Sequence, residues 1–137
     1  MIQVHQIRRG LREDAILSAV LGTDSDDEVK VYWALAKQNV EAPFVVCSVA
    51  PSIGPDGTYG DPFAWENFRV QATAWGRSSL EAWQLAGFVE EAMMITPFDF
   101  SPLSLARVAR DGTPQELPDR DTSWRQVLAF YQFQVGR

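Results

Sequence analysis

The sequence predicts an α+β domain: an antiparallel β-sheet with two helices packed on one face. Three observations carry that expectation. Residues 67 to 75 alternate, with Phe68, Val70, Ala72 and Ala74 on one side and Asn67, Arg69, Gln71, Thr73 and Trp75 on the other; that is the period of a strand with one face on a core. The run "SSLE" at Ser78 to Glu81 has capping-box spacing, and apolar residues recur after it at helical intervals. A late aromatic run, "WRQVLAFYQFQV" over 124 to 135, alternates again. The order reads α, β, β, β, α, β, β, and helices gathered on one face of an antiparallel sheet satisfy it. The 137 residues fit a single domain, 1–137, with no internal repeat.

The elements follow in order. Residues 4 to 21 read as one helix, carried by Val4, Ile7 and Leu11 and continued by Ile16, Leu17, Val20 and Leu21. Gly10 weakens its middle and Gly22 is a suitable stop. The polar link "TDSDDEVK" leads to a short strand, "VYWAL" at 31 to 35, and a turn region, "AKQNVEAP". "PFVVCSVA" (43 to 50) is apolar enough for a central strand, with Pro43 tolerated at its entry. Residues 51 to 64 hold three Pro and three Gly and read as a long loop. The alternating strand ends at Gly76.

The next helix runs from Ser79 to about Met94, with Ala82, Leu85, Ala86, Val89, Ala92 and Met93 on its core face. Its back is unusual. Leu80, Trp83, Gly87 and Met94 form a second apolar stripe beside Gln84, Glu90 and Glu91. An apolar strip rimmed with carboxylates suits a docking surface; the alternative cover is the segment 95 to 102, "ITPFDFSP", folded back over it. Residues 103 to 110 and 124 to 135 read as strands, joined by a polar connection with a turn signal at Asp111-Gly112. Leu128 and Phe130 oppose the main apolar face of the last strand, so its middle is expected to be covered on both sides.

Composition narrows function. The formal charge of −6 argues against a protein that grips nucleic acid through phosphates. It does not exclude a protein that lets DNA slide past, since phosphates find no counter-charge on a like-charged wall. Ten of the twelve basic residues are Arg, the residue of forked interface pairs. Cys47 is the only cysteine and sits in an apolar run, so a buried inert thiol is expected. His5 is the only histidine, and no Ser-His-Asp, Cys-His or His-rich metal set can be assembled. "DSDDE" at Asp24 to Glu28 starts like a calcium loop but lacks the Gly and the closing Glu such a loop needs. No phosphate loop is present. Glu90-Glu91 and Glu13-Asp14 point to different sides of their helices. The chain is therefore expected not to be an enzyme, with no catalytic, cofactor-binding or metal-ligating residue and no cofactor. No secretory signal and no apolar run long enough to span a membrane are visible, so synthesis in a cytosol and no membrane partner are expected.

One resemblance covers nearly the whole chain. The helix ending "AILSAVLG", the strand "APFVVCSV", the Gly/Pro loop, "FRVQATAWGRSSLEAWQLAGFVEEAM" and the late "WRQVLAFYQFQV" resemble the tail terminator (tail completion) family of long-tailed bacteriophages. The link "TDSDDEVKVYWALAKQN" and the two Phe in 95 to 102 depart from that pattern. The resemblance implies a structural virion protein that forms a ring, usually a hexamer. Such a ring caps the head-proximal end of the tail tube, ends tube polymerisation and joins the tail to the head–tail connector. DNA passes through its lumen without specific binding. It implies a place in the neck of the virion and assembly in the host cytoplasm. A head-closure or head–tail adaptor protein, or a small cytosolic binding domain, are the alternatives. The residues expected at subunit or partner interfaces are Trp83, Gly87 and Met94 on the helix back and Tyr59, Phe63 and Trp65 in or beside the Gly/Pro loop. Arg69 and Arg77 are expected to pair with acidic residues of the next subunit. The lumen is expected to be lined mainly by Asp and Glu.

Overall fold

The computed structural model describes residues 4–50, 66–101, 104–118 and 124–136. The fold is α+β, with three helices and a six-stranded mixed sheet among these described residues. The expected loop 51 to 64 lies outside the described residues.

The leading helical region is two helices, α1 (Val4–Glu13) and α2 (Ala15–Leu21), where one was expected. The break falls at Asp14, whose extended backbone lets its carboxylate accept from the Ile16 and Leu17 amides at 3.1 and 3.0 Å. A short acidic side chain that bonds the next amides starts a helix rather than continuing one. Gly10, the residue expected to weaken the helix, stays helical. Its function is space: a Cβ there would lie 2.6 Å from the Phe98 ring. Gly22 caps α2 with φ of +67°, and its amide donates to Ser18 O at 3.0 Å.

The sheet order is β1-β2-β3-β6-β4, from β1 (Val31–Trp33), β2 (Phe44–Ala50), β3 (Glu66–Gly76), β6 (Arg125–Gly136) and β4 (Ser104–Arg110). All of these pairs are antiparallel except β1 with β2, which is parallel and corrects the all-antiparallel expectation. The reason is residues 34–43. They carry the chain from the end of β1 to the start of β2 across one face of the sheet, so both strands run the same way. Ala36, Val40 and Ala42 of this crossover pack with Tyr32, Phe44, Trp75 and Trp124 into a small second core.

The connection after β4 also differs from expectation. Asp111-Gly112 does not reverse the chain. Gln115–Pro118 forms β5, which pairs with Leu128 to Arg125 along the same edge of β6 that β4 occupies from Tyr131 to Gly136. Four residues ending in Pro carry no strand signal of their own; the open edge of β6 makes the strand.

The main core lies on one face of this sheet. Register places Ala72 beside Ala129, Val70 beside Tyr131 and Phe68 beside Phe133, all buried. Over them lies α3 (Ser79–Ile95), whose Ala82, Leu85, Val89, Ala92 and Met93 are buried. The segment 96–101 closes this core at the far end. Phe98 and Phe100 turn inward onto Phe68 and Phe133, with ring centroids 5.6 to 6.1 Å apart for the edge-on contacts. The acidic link folds on itself. The Asp24 carboxylate accepts from the Asp26 and Glu28 amides and from the Tyr32 hydroxyl at 2.8 Å. Burial opposes its charge, but these bonds and the Lys37 ammonium hold its carboxyl below the usual value. Asp24 is thus an internal fastener, with its oxygens already engaged.

Candidate assembly surface

The β3–α3 junction sets the orientation of α3. Ser78 Oγ accepts from the Glu81 amide at 3.2 Å, as the capping box predicts. The returning Glu81 carboxylate takes the Arg77 amide, at 2.9 Å, instead of the Ser78 amide. Gly76 lies directly beneath the first turn of the helix. With its start fixed there, α3 sets one apolar side on the sheet and turns the other outward.

That outward side is Leu80, Trp83, Gly87, Glu91, Met94 and Ile95, all exposed. Leu80 and Ile95 are 68% and 70% exposed, and Trp83 and Met94 are 42% and 43%. A helix apolar on both sides belongs in an interior, not on a free surface. The described part of the expected cover, residues 96–101, does not lie over the stripe, because Phe98 and Phe100 are spent in the main core. Trp83 is held in place by a residue the sequence reading missed. Glu116 of β5 accepts from the Trp83 indole nitrogen at 2.9 Å and also from the Ser79 hydroxyl. Register puts Glu116 beside Val127, on the helix side of the sheet. Its only signal in sequence is a Glu within "PQEL", which reads as loop until β5 is recognised. A large aromatic fixed in one pose and half open to solvent loses little freedom on docking.

Gly87 leaves a gap in the stripe: a Cβ there would meet nothing within 4 Å. Gly87→Ala is therefore expected to raise the stability of the isolated subunit by about 0.5–1 kcal/mol, the helix-propensity gain without a clash. Chemical denaturation checks this; a loss of stability would mean that the gap is filled within the subunit.

The other expected interface residues are distributed differently. Arg77 is exposed in the β3–α3 turn, beside the stripe. Arg69 is on the opposite face of the sheet and is already engaged within the chain. Its guanidinium lies 4.1 Å over the Phe130 ring, and Nε is 3.0 Å from Asp111 Oδ2, an ion pair not aligned as a hydrogen bond. Tyr59, Phe63 and Trp65 lie outside the described residues. So the structure brings Trp83, Gly87 and Met94 together and sets Arg69 apart from them.

The face that carries Arg69 is the second open surface. Among the described residues, only the small core around Phe44 covers it, at one corner. Leu128 and Phe130 are half-buried there, with Phe130 capped by Arg69 and not by a second layer. Side-chain amides occupy much of the remainder, including Gln71, Gln132 and Gln134.

The chemistry elsewhere is sparse. Cys47 is fully buried, and burial pushes its thiol up to about 12. His5 is exposed on α1, with Nδ1 3.4 Å from Arg8 Nη2. Among the described residues, no group of three or more His, Cys, Asp or Glu could hold a metal ion, and no helix is long and apolar enough to cross a membrane. An open groove between α1 and the end of α3 is lined by Arg9, Glu13, Asp14 and Asp99 without a converging acid–base set.

No family model matches this sequence, and no curated protein does. Solved structures do share its fold. One is a chain described as "Virion of native gene transfer agent (GTA) particle". It matches with a TM-score of 0.73 at 17% identity, over 96% of this chain and 92% of that one. A second solved chain, which carries only a sequence identifier as its name, matches with a TM-score of 0.52 at 16% identity, over 100% of this chain and 98% of that one. At such identities the likeness is one of fold.

Proposed function

We propose that this chain is a structural protein of a phage-like virion, and that it works as a tail terminator. In this reading it assembles as a ring, a hexamer by family resemblance. The ring caps the head-proximal end of the tail tube, stops tube growth and presents a surface to the head–tail connector. DNA passes through its lumen. The observation that carries the reading is the outward stripe of α3, an apolar surface with a clamped Trp that no other described residue covers. Three further points support it. The fold is shared along almost its whole length with a chain from a gene transfer agent virion. The residue order resembles the tail terminator family. The net charge of −6 suits a channel that must not hold DNA.

The work assigned to the chain is self-association and end-capping. Trp83 and Met94 are the anchors on the stripe, Gly87 admits close approach, and Arg77 beside them pairs with a carboxylate of the neighbour. Tyr59, Phe63 and Trp65 extend the contact from the loop.

The test is the mass of the purified protein across a concentration series, with and without assembled tail tubes. The expected result is a ring, free or on tube ends, that is lost in the double variant Trp83→Ala, Met94→Ala while the subunit stays folded. Truncation of two anchors is expected to cost about 2–4 kcal/mol of association per contact. A wild-type protein that stays monomeric and ignores tubes defeats the reading; binding to the connector alone identifies a head–tail adaptor instead.

A further inference from the structure

A closed ring joins unlike patches head to tail, so each subunit needs a second surface to receive the α3 stripe. We infer that this second surface is the open face of the sheet: α3 of one copy lies across β3, β6 and the edge formed by β4 and β5 of the next. The inference rests on the ring reading above and names the partner surface within it.

Placement comes first. α3 covers one face of β3 and β6, so its stripe points away from the sheet. The face bearing Arg69 and Phe130 points the opposite way. Two open surfaces on opposite sides of one subunit let copies follow one another as helix on sheet, helix on sheet. A constant rotation between copies that adds up to a full turn closes such a series into a ring.

Chemistry comes second. Leu117 is 41% exposed on the open face, and register sets it along the same face as half-buried Leu128 and Phe130. This apolar band matches Leu80, Trp83 and Met94 in kind. Gln132 and the other amides beside it are neutral and adaptable, as the rim of a contact should be.

Charge decides the pairing. The α3 stripe holds one acid, Glu91, which is exposed and makes no ion pair among the described residues. The open sheet face holds Arg107, set beside Gln134 by register, also exposed and also without an ion pair among them. The second arginine of this face, Arg69, is answered by Asp111. Glu91 within the stripe and Arg107 on the open sheet face are complementary at the point where the two surfaces would meet, while exposed Arg77 lies beside the stripe at its other end. A symmetric contact of either surface with itself would bring two copies of the same unpaired charge into one interface.

The experiment uses the full chain as two single variants, Glu91→Arg and Arg107→Glu. Mass and association are measured for each alone and for an equal mixture, with and without tail tubes. Both positions are exposed, and unfolding midpoints equal to wild type confirm intact subunits. Each variant alone is expected to associate at least about tenfold more weakly, because like charges then meet at every junction. The mixture is expected to recover, since an alternating ring pairs opposite charges at every junction. Two variants that assemble like wild type, or two impaired variants that stay impaired when mixed, overturn this contact and leave the ring reading standing. A wild-type protein that stays monomeric even with tubes overturns both.

Discussion

Gly76→Ala is expected to lower the thermal unfolding midpoint by about 10 °C. The new Cβ would lie 2.5 Å from Ala82 N, 2.9 Å from Ala82 Cα and 3.0 Å from Glu81 C. These obstacles are backbone atoms in the first turn of α3, so no side-chain rotation relieves them. Either the helix lifts from β3 or the end of β3 bends away. Lifting opens the contact of Ala82 and Leu85 with the sheet, both now essentially inaccessible. Overpacking of this kind costs about 1–3 kcal/mol and sometimes more, and rigid neighbours favour the upper end. The contrast with Gly87→Ala is informative. Both changes add one methyl near the same helix, and they are expected to act with opposite sign because one site is filled and the other open. An unchanged midpoint in Gly76→Ala would mean that the β3–α3 junction is looser than described. In the proposed ring, the same substitution is expected to weaken assembly, since the direction of the stripe follows from where α3 begins.

Phe133→Ala is expected to cost about 3–5 kcal/mol. Phe133 is fully buried, stacked on Phe68 with centroids 5.2 Å apart, and met edge-on by Phe98 and Phe100 at 5.6 and 6.1 Å. Its removal leaves a cavity among three rings and loosens the segment 96–101 that they anchor. Phe130, three residues earlier on the same strand, faces the other way and is half-buried beneath the Arg69 guanidinium. Phe130→Ala is expected to cost clearly less in the subunit, about 1–2 kcal/mol. Urea midpoints of the two variants measure the difference. Equal losses would contradict a sheet with one sealed face and one open face, and with it the surface assigned to the neighbouring copy.

Much of this fold is legible from local pattern. The alternation around Phe68 to Ala74 marks β3 because side chains on a strand change face at every residue. The Ser78 cap and the helical spacing after it mark α3 because a helix start has orphan amides to satisfy. The second apolar stripe on α3 is equally legible, since Leu80, Trp83, Gly87 and Met94 fall on one side by spacing alone. The break at Asp14 was legible in principle as a helix cap, but the apolar spacing across it suggested continuity. Glu116 was not legible as the clamp of Trp83, because the two are 33 residues apart in the chain.

The sequence by itself determined the elements whose signals lie within one or two turns or a few strand residues: the four longest strands, the capped helix with two apolar sides, and the acidic link. Only the tertiary structure decided which way β1 runs, that Gln115–Pro118 is a strand, and that Phe98 and Phe100 turn inward while Trp83 stays outside. The physical reason is the same in each case. A parallel pair depends on the path of the crossover 34–43, β5 on the free edge of β6, and the inward Phe98 on the space left by Gly10, which is 88 residues away in the chain and a methyl's width away in the core.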